Sequence, residues 1–175
     1  MYLQPENQSE MTPSREADVM FRFLSDIGIE TEFRVIEEET FLPGILIESG
    51  RLIIDPDKLK HPGDVLHEAG HLAMVPKADR ASLQGNVEPG PPSQSLELGA
   101  ILWSYAATVH LGLDPAFVFH EAGYKGQSKW FIEQFQSGTY IGLPLLQWMG
   151  LTLDPQQASE KQVDPFPCMV KWLRD

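Results

Sequence analysis

A chain of 175 residues with 42% apolar composition suits one domain with a real core and leaves little room for a second. Its 25 acidic residues against 13 basic give a formal charge of −12, which sets nucleic acid and anionic lipid aside as direct ligands. The single cysteine, Cys168, excludes an internal disulfide and points to a reducing, cytoplasmic setting.

Polar residues from Gln4 to Glu10 stand where a signal peptide would be apolar, so residues 1–12 are expected to form a loose tail and 13–175 a single domain. No apolar run is long enough for a membrane span. Ser14 is placed to cap a helix carrying Ala17, Met20, Phe21, Phe23, Leu24 and Ile27 at helical spacing, with Gly28 to end it. Ile29, Thr31, Phe33 and Val35 then alternate with Glu30, Glu32, Arg34 and Ile36, which predicts a strand with one wet face. Ile45–Ile47 and Leu52–Ile54 flank Ser49-Gly50, the signature of a tight hairpin. After Asp55-Pro56 the period changes to that of a helix over 62–75, with Pro76 beyond its end. Residues 76–93, rich in Pro and Gly, predict a long irregular loop bordering a cleft. A second long helix is expected over about 95–111, followed by shorter ones from Pro115 and from Ser128 to Phe135. The expected class is α+β: a small antiparallel sheet with a hairpin, packed on a helical core that includes Trp130, Phe131, Phe135, Trp148 and Met149.

The chemistry is concentrated in His67-Glu68-Ala69-Gly70-His71, an H-E-x-x-H motif. Four residues of helix advance about 400°, so the two imidazoles lie one turn apart on one face and can grip one Zn²⁺. Glu68 projects about 100° round from His67, the place of a general base acting on a metal-bound water. Val65, Leu66, Ala69, Leu72 and Ala73 fill the opposite arc, so one face packs while the other is free to bind.

A catalytic zinc needs a third protein ligand and an open position. Glu97 is the choice: Ala100, Ser104, Ala107 and Thr108 share its helical face, and small side chains let two helices approach closely. Glu97 would also suit a helix N-terminus through the macrodipole, and Glu88 and Asp79 are alternative ligands from the loop. His110 lies roughly 20 Å of helix from Glu97, too far to share an ion. His120-Glu121-Ala122-Gly123-Tyr124 echoes the motif with Tyr in place of the second ligand. His120, Tyr124, Tyr105 and Tyr140 are candidates for stabilising an oxyanion.

The hairpin, the His67–His71 helix and a second helix beginning Glu97-Leu98-Gly99-Ala100 resemble a minimal gluzincin metallopeptidase, closest in layout to the ImmA/IrrE family, over about residues 40–112. That resemblance implies a zincin-like core, zinc held by His67, His71 and Glu97, water activated by Glu68, and a peptide or protein substrate. Ile101 stands where larger gluzincins carry an Asp. The expected activity is zinc-dependent hydrolysis of amide bonds. The alternatives are a noncatalytic module whose metal only holds helices together, and an interaction protein that uses its acidic face.

Overall fold

The first helix, α1 (Arg15–Ile27), starts where the Ser14 hydroxyl accepts a hydrogen bond from the Ala17 amide and ends where Gly28 turns left-handed. It belongs to a computed structural model that describes residues 14–85 and 93–175, so the expected tail and Glu88 lie outside the described residues. The class is α+β, a four-stranded mixed sheet with seven α-helices among the described residues.

Strands β1 (Thr31–Phe33), β2 (Ile45–Glu48), β3 (Arg51–Ile54) and β4 (Gln84–Gly85) lie in the order β1-β3-β2-β4. The β2–β3 hairpin is antiparallel, and its turn places both Ser49 (φ 51°) and Gly50 (φ 76°) in the left-handed region that two-residue hairpins favour. The sheet is mixed because β1 pairs parallel with β3, Thr31 opposite Leu52. The buried Asp55 carboxylate at the end of β3 accepts the Ile36 amide at 2.9 Å and so pins the chain leaving β1 beside its neighbour. The alternation expected around β1 is only partly realised. Phe33 and Val35 are exposed, whereas Ile36 joins Leu46 and Ile53 in a small cluster of their own.

The expected loop over 76–93 is partly ordered. Lys77–Arg80 forms a short helix, α3, and β4 adds to β2 antiparallel. The cause is the close seat of the hairpin turn on this segment: the Gly50 amide donates to Leu83 O, and a Cβ on Gly50 would lie 2.5 Å from Arg80 O.

The core is built by Ile45, Ile47, Leu52 and Ile54 of the sheet against Val65, Leu66, Ala69 and Leu72 of α2 (Asp64–Met74), which packs in turn on α4 (Ser93–His110). Helices α5 (Ser128–Gln136), α6 (Leu143–Trp148) and α7 (Pro155–Lys161) follow two 3-10 turns, Pro115–Phe117 and Tyr124–Gly126. Phe131, Phe135 and Met149 are buried as expected, but Trp130 and Trp148 are exposed. Trp130 falls off the i,i+4 stripe that Phe131 and Phe135 bury, and the Trp148 ring lies under the Arg174 guanidinium instead. Among the described residues no helix is long and apolar enough to cross a membrane.

Candidate metal centre

Helix α2 carries His67 and His71 on one face, and α4 brings Glu97 to them. The Nε2 atoms of the two imidazoles are 3.2 Å apart; Glu97 Oε1 is 3.3 Å from His67 Nε2, and Oε2 is 3.2 Å from His71 Nε2. Among the described residues this is the one group of three or more His, Cys, Asp or Glu whose donor atoms converge. The separations have a physical meaning. Charge-assisted N–H···O bonds are usually about 2.7–2.9 Å, whereas donors about 2.0–2.1 Å from one ion in a tetrahedron sit about 3.3 Å apart. A site of two imidazoles and a carboxylate therefore has the spacing of a metal cage.

The convergence is possible because α2 and α4 touch backbone to backbone. Gly70 lies against Ala100, as the small-residue face of α4 leads one to expect. Helix α4 begins at Ser93, two residues before the expected start, so Glu97 stands in its second turn. The dipole at the helix end has largely faded there, and a capping role no longer accounts for it.

Charges in the triad are coupled. Burial acts against the Glu97 carboxylate, but hydrogen bonds from His67 and His71 outweigh it and hold its pKa far below the usual range. Burial also acts against a charged His67, and the Glu97 hydrogen bond and charge outweigh it, so its pKa is raised. Burial raises the Glu68 carboxyl above its ordinary value, with His71 and His67 opposing. His67 Nδ1 is buried without a hydrogen-bond partner among the described residues.

A cleft of about 490 Å³ opens onto His67 and Glu97. Asp64, His120 and Tyr124 line it, whereas Glu68 and His71 do not. The expected oxyanion candidates divide accordingly. Tyr105 packs on Phe135 at 4.9 Å and Tyr140 on Phe166 at 4.6 Å, both within aromatic core. Tyr124 sets its ring edge-to-face with His67 at 5.6 Å, and its buried hydroxyl has no hydrogen-bond partner among the described residues. Burial, with Asp64 and Glu97, holds that hydroxyl protonated well above the ordinary phenol range, despite the nearby Ser104 hydroxyl, which donates to Ile101 O. His120 Nε2 meets Asp64 Oδ1 at 2.8 Å, and its ring stacks on His61 at 3.7 Å.

The motif echo at 120–124 is therefore a turn, not a helix, and the Ser128 hydroxyl ties it down by donating to His120 O. Asp79 is exposed on α3 outside the converging group, and His110 packs between Phe23 and Trp172. Cys168 is exposed and unbonded. The helical wheel of α2 already puts Asp64, three residues before His67, on the face of His67, Glu68 and His71, but does not show its pairing with His120; His61 gave no sequence signal.

No protein-family model, curated protein or solved structure matches this chain.

Proposed function

We propose that this chain is a zinc-dependent hydrolase of peptide bonds, with His67, His71 and Glu97 as ligands and Glu68 as general base. The convergence of three donor atoms, each within 4.8 Å of the others, beside an open cleft is the observation that carries this reading. Zinc, when bound, supplies a water acidified toward a pKa of about 7 and polarises a scissile carbonyl. Glu68 follows His67 directly and makes no ligand contact, and the burial that raises its carboxyl strengthens it as a proton acceptor. It would take the water proton and return it to the leaving nitrogen. His120, held by Asp64, and the protonated Tyr124 line the cleft and are the remaining candidates for hydrogen-bonding a substrate carbonyl.

The resemblance to minimal gluzincins supports the choice of peptide over other amides. One observation favours a second reading: Glu68 does not line the cleft, which would suit a noncatalytic module whose metal only joins α2 to α4. Metal analysis of the purified protein with a broad peptide-cleavage screen separates the two. Glu68→Gln should retain zinc while lowering hydrolysis by about 10²–10⁴-fold. Full activity in that variant would overturn the assigned base. A zinc-loaded wild type inert across broad libraries would shift the reading to the module.

A further inference from the structure

We infer that the cleft beside His67 and Glu97 selects a peptide segment that presents a carboxylate next to an apolar side chain. Lys60 and Lys125 would read the carboxylate, and Phe41 the apolar group. The inference rests on the reading of this cleft as a substrate site and adds to it the class of substrate.

The lining of the cleft combines apolar and cationic side chains. Phe41, Leu42 and Pro43 form an apolar wall, with Phe41 71% exposed. Lys60, from the β3–α2 connection, and Lys125, from the Tyr124–Gly126 turn, supply two ammonium groups. Several cations of the chain are held by other groups: Arg34 and Arg51 pair with Glu32, Lys171 pairs with Asp175, and Lys58 donates to Ile36 O. Lys60 and Lys125 form no ion pair or hydrogen bond among the described residues.

The carboxylates bordering the cleft are already engaged, Asp64 by His120 and Glu97 by the two motif histidines. Lys60 also borders an adjoining cleft that contains Glu37, Glu38 and Glu39, and none of these forms an ion pair with it. Lys125 and Tyr124 both have φ 54°, a left-handed conformation that non-glycine residues adopt at a cost. The same strained turn places Tyr124 against His67 and Lys125 on the cleft wall. An acidic protein repels anions at long range, so the two lysines that line the cleft are what would draw a carboxylate to this mouth. Lysine acts there as a mobile point charge, which suits the carboxylate of an acidic side chain or of a peptide's own terminus.

The test measures binding of four probes to the zinc-loaded full chain by calorimetry. They are acetyl-Ala-Phe-Glu-Ala-amide, acetyl-Ala-Phe-Ala with a free terminal carboxylate, neutral acetyl-Ala-Phe-Gln-Ala-amide, and acetyl-Ala-Ala-Glu-Ala-amide. At least one Phe probe bearing a carboxylate should bind about fivefold or more tighter than the neutral one, the sum of two exposed ion pairs. The tighter of the two identifies the source of the carboxylate. The Lys60→Gln/Lys125→Gln double variant should keep its zinc and lose that preference, and Phe41→Ala should lose the preference for Phe over Ala. Equal binding of acidic and neutral probes, an acid preference that survives the double variant, or no binding of any probe to zinc-loaded protein would each overturn the inference. Acid-selective binding by a protein that cleaves nothing in the broad peptide screen would count against the hydrolase reading and leave this one standing; turnover without acid selectivity would do the reverse.

Discussion

Gly70 and Ala100 meet so closely that a Cβ on Gly70 would lie 2.9 Å from Ala100 O and 3.0 Å from Ala100 Cα. The neighbours are helix backbone and cannot swing aside, so the contact fixes the distance between the helix that carries the histidines and the one that carries Glu97. Gly→Ala inside a helix ordinarily stabilises by up to about 1 kcal/mol, but forced overpacking costs about 1–3 kcal/mol and should win here. Gly70→Ala should therefore lower the melting temperature and weaken zinc binding together. A variant as stable as wild type, with unchanged metal affinity, would show that the two helices have room to part.

The third ligand is tested by comparing two acidic residues on the two sides of the 86–92 segment. Losing an outer-shell partner typically costs about 10–100-fold in metal affinity, so removing a ligand should cost at least the upper end of that range. Glu97→Ala should do so, measured by competition with a chelator of known affinity. Asp79→Ala, exposed and apart from the triad, should leave the affinity unchanged. The reverse pattern would displace Glu97.

Metal-free protein should lose stability on both sides of a pH window. The Glu97 pKa is depressed in the folded state, so its contribution is present above the ordinary carboxyl value of 4.5 and is lost as pH falls toward the depressed one. The His67 pKa is raised, so its contribution is complete below the ordinary 6.5 and is lost as pH rises through the raised value. Zinc must displace the proton that Glu97 helps His67 to hold, so binding near neutral pH should release protons and affinity should fall on acidification. Calorimetric zinc titrations in buffers of different ionisation enthalpy read that release directly. Identical heats in all buffers would contradict it.

Arg80 should matter to α2 although it lies outside that helix. Its guanidinium donates to Leu72 O at 3.0 Å, Val75 O at 3.1 Å and Arg174 O at 2.8 Å, while the Arg174 amide donates to Ala73 O. These bonds satisfy carbonyls that the end of a helix leaves open, within one turn of His71. Arg80→Ala should destabilise by about 2–3 kcal/mol in chemical denaturation, with Arg80→Lys between it and wild type because an ammonium cannot span all three acceptors. A loss below about 0.5 kcal/mol, the range of an ordinary surface change, would remove this role.

What the sequence determined by itself rests on short-range physics. The Ser14 cap, the left-handed Ser49-Gly50 turn and the period of the His67–His71 helix are written within a few positions of one another, and each appears in the structure where the residues place it. The small-residue face that pointed to Glu97 is also local, a property of one helix. Tertiary structure decided which elements meet. The Asp64–His120 pair spans 56 positions, and the Asp55–Ile36 bond beyond β1 spans 19; neither leaves a periodic trace. Of four candidate oxyanion donors, one histidine and three tyrosines, packing set Tyr105 and Tyr140 against aromatic core and left His120 and Tyr124 on the cleft. Periodicity shows which face of a helix is apolar, but only the packing of α2, α4 and the 120–126 turn determines which polar groups share a cleft with His67 and Glu97.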